Sequence, residues 1–216
     1  MRITGLHALA LLVAASGFTG CGPGAAGGSG APPPIQSSFD TDAAGWMIQG
    51  FDTDSMDFDL SSKNNANEQA PAIYDAVGGV TGGAAKREDT FFGRGEYFGA
   101  PQKFLGDLSN YYGGTLRFSI RESVDDAQPF AAPLVLLDAG GQQWRFDAPA
   151  TASKSWIDYI VPLAADPGWT RTSDGTPASD VALRAALGNV QALFLRGEFS
   201  NRLDDSWLDN VMIEPR

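Results

Sequence analysis

Histidine and cysteine are almost absent from this sequence. It holds one of each, His7 and Cys21, and both stand near its start. Beyond residue 21 there is no imidazole and no thiol. Ser-His-Asp and Cys-His nucleophilic chemistry are excluded there, and so are zinc sites built from His and Cys. A single cysteine also rules out a disulfide within the chain. Positive charge is scarce: 15 Lys and Arg face 26 Asp and Glu. A surface of that sign repels phosphate backbones, so nucleic acid is not expected as a partner, and it suits hard cations such as Ca²⁺. Long apolar runs are missing too. The greasy stretch at residues 6–15 falls short of the about 20 residues that a membrane-crossing helix needs.

That stretch has another use. Arg2 precedes it, and the small residues Ser16, Gly17, Thr19 and Gly20 follow it, up to Cys21. This is the layout of a secretory signal. Thr19, Gly20 and Cys21 resemble the cleavage motif of bacterial lipoproteins, with Phe18 where Leu is commoner. The resemblance implies that residues 1–20 are a signal peptide and that Cys21 is lipidated and becomes the mature N-terminus. Acyl chains then attach the protein to a membrane, each buried methylene adding about 0.8 kcal/mol. Gly22 rather than Asp follows the cysteine. By similarity to enterobacterial sorting rules, that directs the lipoprotein to the outer membrane, without saying which leaflet. Cleavage would remove His7 and one basic residue, leaving 14 against 26. Residues 21–36 continue as a Gly/Ala/Pro tether, flexible at first and stiffened by Pro32, Pro33 and Pro34. Residues 37–216 are long enough for one domain with a sizeable core.

The hydrophobic period in that domain is mostly two. TLRFSIRE, residues 115–122, alternates Leu116, Phe118 and Ile120 against Arg117, Ser119 and Arg121. PLVLLDA and QQWRFDA, residues 133–139 and 142–148, flank Gly140 and Gly141 as a hairpin would. Residues 155–163, 190–199 and 207–214 read as further strands. Residues 51–60 set Phe51, Phe58 and Leu60 against Asp52, Asp54, Asp57 and Asp59, which reads as a strand with a wet face. One segment differs. In SDVALRAALGN, residues 179–189, Asp180 is placed as N-cap, Val181, Leu183 and Leu187 as an apolar stripe, and Gly188 as the stop. Many short strands and one short α-helix indicate an all-β fold, a β-sandwich.

Residues 97–120, YFGAPQKFLGDLSNYYGGTLRFSI, carry a specific pattern. An aromatic pair, Tyr97 and Phe98, precedes Ala100-Pro101. Then come Lys103-Phe104-Leu105-Gly106-Asp107, a Tyr112-Gly113 spacer and a strand with Leu116 and Phe118. Trp169, the capped helix, Phe194-Leu195-Arg196 and Leu208-Asp209-Asn210-Val211 follow in order. The chain resembles the laminin IV type A domain, also called laminin B, over most of residues 37–216. In laminins this domain sits within cysteine-rich epidermal-growth-factor-like modules, which are absent here. The resemblance implies a jelly-roll β-sandwich of the galactose-binding-like type. It implies no catalytic machinery, hence not an enzyme. The expected role is a non-catalytic, lipid-anchored cell-surface binding or architectural module. The alternative is a carbohydrate-binding module recognising an extracellular or envelope glycan. A glycoside hydrolase is a third reading with nothing to support it, because among 26 acids some pair always stands roughly 5–10 Å apart. Expected partners are the membrane, through lipid on Cys21, and a glycan or cell-surface protein.

Two Phe-Asp-Thr-Asp tetrapeptides, at residues 39–42 and 51–54, raise the question of a metal. Neither fits a calcium-binding EF-hand loop, which needs oxygen donors at positions 1, 3 and 5 and Glu at 12. Starting at Asp40, position 5 is Ala44 and position 12 is Phe51; starting at Asp52, they are Met56 and Lys63. A different site is possible in a jelly roll, where the entry to the first strand lies beside the last strand. Alternation groups Asp209 with Val211 and Ile213, and a carboxylate among apolar neighbours must be paired, hydrogen-bonded or bound to metal. Similarity to galactose-binding-like modules suggests one structural calcium ion held by Asp40, Asp42 and Asp209. Amide bonding at a strand end is the other reading of Asp209. Tyr111, Tyr112, Trp144, Trp156 and Trp169 are aromatics able either to stack on a sugar or to fill a core.

Overall fold

The computed structural model describes residues 30–52, 57–59, 65, 68–89, 94–126, 131–149, 151–165 and 168–216. Cys21 and the signal lie outside the described residues. Residues 31–216 form one compact unit. In it two antiparallel sheets pack face to face. One has the order β10 (Ile157–Pro162), β7 (Thr115–Glu122), β13 (Asp205–Glu214), β5 (Ala84–Glu88), β4 (Ile73–Asp75), and β1 (Ile35–Ser37) also pairs with β13. The other has the order β11 (Trp169–Arg171), β9 (Gln142–Phe146), β8 (Val135–Ala139), β12 (Val190–Arg196), β6 (Gly95–Gly99), β2 (Met47–Phe51), β3 (Gln69–Pro71). The first and last strands lie side by side, with Ile35 opposite Ile213 and Ser37 opposite Val211. The fold is a jelly-roll β-sandwich with one short α-helix, as the strand pattern and the family resemblance both imply.

Alternation explains the core. Leu116, Phe118 and Ile120 of β7 meet Leu137 of β8, Phe98 of β6 and Leu193 and Leu195 of β12 in one buried cluster. The hairpin of β8 and β9 turns on Gly140 and Gly141, whose φ values of 58° and 79° are those a two-residue type I′ turn requires. Pro101 cannot donate to a ladder, and β6 ends just before it at Gly99. Beyond it, Phe104 is fully buried, and two single 3-10 turns carry the chain to β7. The amide of Leu108 donates to Leu187 O at 2.7 Å, tying this stretch to the helix α1 (Asp180–Leu187).

Four details differ from the sequence reading. The N-cap of α1 is Ser179, whose hydroxyl accepts from the Ala182 amide at 3.2 Å; Asp180 is the first helical residue. Leu183 and Leu187 are buried, but Val181 is 80% exposed, because it lies off the stripe that faces the core. Of the strand expected over residues 51–60, Phe51 ends β2, Asp52 and Asp57 form only an isolated bridge, and residues 53–56 and 60 lie outside the described residues. Asn65, fully buried, gathers the following connection: its amide donates to the carbonyls of Asp57 and Asp59, and its carbonyl accepts the Asp52 amide. Finally, β13 carries a bulge between Asp209 and Met212, with Asn210 at φ 53°. The bulge breaks the alternation, so Asp209 falls in the series of Asp205 and Trp207, not that of Val211 and Ile213.

One end of the interior is ionic. On β5 the inward series runs Ala85, Arg87, and both are fully buried. Arg87 crosses the sandwich. Its Nε donates to Ser206 Oγ of β13 at 2.9 Å and one terminal nitrogen to Glu96 Oε2 of β6 at 2.6 Å. The other terminal nitrogen grips the Asp204 carboxylate. Glu198 Oε2 lies 3.9 Å away and accepts the Glu96 amide. Glu122, next after Ile120 on the buried face of β7, accepts the Phe199 amide at 2.8 Å. Its other oxygen and Asp204 Oδ2 are buried without a donor, while the two carboxyls lie in contact. A proton shared between them supplies the missing donor. Burial pushes Glu122 up to about 8, with Asp204 adding to the effect, and burial likewise pushes Glu198 up to about 8.

These shifts give stability a definite pH dependence. The unfolded carboxyls titrate near ~4.3, so between there and about 8 the folded state holds protons that the unfolded chain has lost. The stability this provides is fully present below the unfolded value and is lost as pH rises toward 8. Urea unfolding midpoints measured from pH 5 to pH 8 should therefore fall, and Glu122→Gln, whose amide donates at every pH, should flatten the fall; a variant as steep as the parent contradicts the assignment. Arg87→Met leaves several carboxylates unpaired and should cost about 3–5 kcal/mol, with a larger loss at pH 8 than at pH 5.

Candidate functional site

Of the three expected calcium ligands, two come together. Asp209 is buried under the connection from β4 to β5. Its Oδ2 accepts the Val80 amide at 2.8 Å and its Oδ1 the Asn210 amide at 2.7 Å. Gly79 fits there only for want of a side chain: a Cβ would stand 2.9 Å from Asp209 Oδ2 and 2.2 Å from Gly83 O. Burial raises the Asp209 pKa, the amides of Asn210, Val80 and Thr81 lower it, and the charge of Asp40 raises it again. Asp40 uses one oxygen to accept the Ser38 hydroxyl at 2.6 Å, and its carbonyl accepts the Tyr74 hydroxyl at 2.9 Å. Asp42 is turned away into its own loop, where it accepts the Ala44 amide at 2.7 Å. Among the described residues no group of three or more His, Cys, Asp or Glu side chains is arranged to hold a metal ion.

The candidate aromatics are occupied. Tyr111, Trp144 and Trp169 are core residues. The Arg184 guanidinium lies 3.7 Å from the ring centre of Tyr112, and that of Arg121 lies 5.4 Å from Trp156. Arg121 also stacks at 3.8 Å on Trp207, with the Lys86 ammonium 5.4 Å from the same ring. This cationic stack and the Asp209 connection cover much of the outer side of the six-stranded sheet.

The outer side of the seven-stranded sheet is different. Phe51, Tyr97, Leu136 and Phe194, with Phe58 from the β2–β3 connection, form a second, smaller apolar cluster there. Beside it opens a cleft of about 810 Å³, of the size that binds small molecules. Its floor is Asp138 of β8, Gln143 of β9 and Ala192 of β12, which alternation puts on one face. One wall is the segment 57–59, fastened by the Gln143 amide donating to Phe58 O at 2.7 Å. The opposite wall is the turn at Arg171, Thr172 and Ser173. Burial raises the Asp138 pKa, Gln143 lowers it by a hydrogen bond, and the nearby charge of Asp59 raises it. Arg171 is held in a two-pronged pair with Asp174, at 3.0 and 2.8 Å. A shallower depression of about 230 Å³, lined by Met47, Gln69, Gly99 and Phe194, shares Gln191 and Ala192 with the cleft. No sequence motif marks this face. Its residues come from four separated stretches, and only the alternation in β8, β9 and β12 hinted at which side chains share it.

Comparison with known proteins places the fold in a family. A family model for Laminin B (Domain IV) matches residues 97–215. Laminin subunit gamma-1 of Homo sapiens is 29% identical over 188 residues, 83% of this chain and 10% of that subunit. The basement membrane-specific heparan sulfate proteoglycan core protein of Mus musculus is 28% identical over 121 residues, 55% of this chain and 3% of that protein. The chain thus spans a tenth or less of the length of these relatives. The solved L4b domain of human laminin alpha-2 superimposes with a TM-score of 0.52 at 14% identity, over 56% of this chain and 70% of that one. The family match takes in more than half of the sequence, from the aromatic pair at Tyr97 to the end of the last strand, and the chain belongs to the Laminin B (Domain IV) family.

Proposed function

We propose that this protein is a non-catalytic binding module held at the cell surface by lipid on Cys21, in the outer membrane. The observation that carries the binding role is the open cleft on the outer side of the seven-stranded sheet, beside its small apolar cluster. The family supports the same reading, since the named relatives are a laminin subunit and a basement-membrane proteoglycan core protein. The anchor rests on the sequence of residues 1–21. Among the described residues no helix is long and apolar enough to cross a membrane.

A second reading, a carbohydrate-binding module, is favoured by the lining of the cleft. Asp59, Asp138, Gln143, Gln191 and Ser173 offer carboxylate, amide and hydroxyl groups close together. Such groups bond neighbouring sugar hydroxyls in pairs. A structural Ca²⁺ shared by Asp40 and Asp209 is also proposed. What supports it is that Asp40, just after the first strand, stands near enough to Asp209 of the last strand for its charge to raise the Asp209 pKa. Backbone oxygens and water would have to complete its shell, because Ca²⁺ takes six to eight oxygen ligands.

Three measurements test these readings. Cys21→Ser should move the protein from the membrane to the soluble fraction and abolish labelling by a fatty-acid probe; unchanged partition removes the anchor. A glycan array read with the full chain should give saturable binding without release of reducing ends, and turnover would restore the hydrolase reading. Millimolar Ca²⁺ should raise the melting temperature of the parent but not of Asp209→Asn. Equal response in both, or in neither, dismisses the ion.

A further inference from the structure

The cleft and the smaller depression adjoin at Gln191 and Ala192, which line both, and end to end they make a groove whose lining is drawn from β11, β9, β8, β12, β6 and β2. Its two halves differ. The larger half is acidic: Asp57, Asp59 and Asp138 line it. Among the described lining residues the one cation, Arg171, is held in the two-pronged pair with Asp174. The smaller half is apolar. Gly99 lies flat between Phe194 and Met47, since even a Cβ there would come within 3.3 Å of Phe194 and 3.8 Å of Met47. Met47 is 38% exposed above it. A compact ligand would fill one half only. A chain of sugars has the length for both, with hydroxyls for the polar half and ring C–H faces for the apolar floor.

Resting on the carbohydrate reading above, we propose that the groove takes an extended polysaccharide free of anionic groups. Sulfated and uronic chains are turned away by the three carboxylates, because like charges in a partly desolvated cleft repel and, among the described lining residues, find no free counter-charge. Asp138 on the floor and Asp59 on the wall, near enough for the charge of one to act on the other, set this discrimination. Ala192 at the junction is half-buried on the outer side of β12, so a large side chain there would stand in the groove and leave the sandwich core untouched.

The test is affinity electrophoresis of the full chain through gels containing dextran, xylan, mannan, mixed-linkage β-glucan, polygalacturonate or heparin, with Ala192→Trp and the double variant Asp59→Asn/Asp138→Asn. Melting curves confirm that each variant is folded. The expected result is retardation by at least one neutral polysaccharide and by neither anionic one. Ala192→Trp should weaken the neutral binding at least about tenfold, equivalent to ~1.4 kcal/mol. The double variant should gain retardation by polygalacturonate. Retardation by an anionic polysaccharide that Ala192→Trp abolishes would leave the groove as the site and overturn the charge selection. Anionic binding unaffected by Ala192→Trp overturns both the selection and the site. No retardation by any polysaccharide defeats the carbohydrate reading itself.

Discussion

A buried guanidinium governs how this sandwich closes. Arg87 has no solvent to fall back on, so every donor it presents must meet an acceptor inside the protein. The acceptors come from both sheets: Ser206 on β13, Glu96 on β6, and Asp204 at the approach to β13. Hydrophobic contact between two sheets is tolerant of sliding, because apolar surface has no direction. A forked ion held at fixed distances is not. The contact therefore sets how β5 and β13 stand over β6, and the apolar core of β7, β8 and β12 packs within that alignment.

Surplus acid at this end has its own logic. Arg87 could be balanced by one carboxylate, yet Glu96, Asp204, Glu198 and Glu122 all approach it or one another. The extra groups serve the backbone: Glu198 accepts the Glu96 amide and Glu122 the Phe199 amide. Both amides flank strand ends, where ladder partners run out and a buried N–H would otherwise be stranded. The carbonyl oxygen of a neutral carboxyl still accepts an amide, though less strongly than a carboxylate, so burial can hold these groups protonated without stranding the amides.

Much of this was legible in the sequence, because period-two alternation is a local property. Residues 115–122 form β7 with the expected faces, and the two glycines after β8 make the expected turn. The same alternation carried Glu122 inward behind Leu116, Phe118 and Ile120, although nothing local said what it would meet. The failures are equally physical. Ser179 and Asp180 are both good caps, and the choice between them depends on where Leu183 and Leu187 must point. Asp209 was grouped with Val211 and Ile213 because a bulge does not show in a hydrophobic pattern; only the αL conformation at Asn210 reveals it. The groove could not be read at all, since residues 57–59, 138–143, 171–173 and 191–192 meet only after the sheet has formed.

The two outer faces show why an acidic chain would keep its binding surface on one sheet. On the six-stranded sheet, Arg117 pairs with Glu214, Lys86 with Glu88 and Asp205, and Arg121 covers Trp207. The connection after β4 then packs down through Gly78 and Gly79, where any side chain would strike Trp207 or Asp209. Cations are few in this sequence, and Lys86, Arg117 and Arg121 are all engaged on that face. On the seven-stranded sheet the described cations are engaged within the protein: Arg145 by Asp147, Arg171 by Asp174, Arg94 by Asp52, and the buried Arg196 of β12 by the carbonyls of Ala132 and Glu198. The middle is left to carboxylates, amides and a patch of apolar side chains. An opening with hydrogen-bonding groups, no available positive charge among its described residues and an adjacent greasy floor matches a hydroxyl-rich, uncharged chain better than it matches a phosphate or a sulfate. The shortage of basic residues thus reaches from composition to the chemistry left open in the cleft.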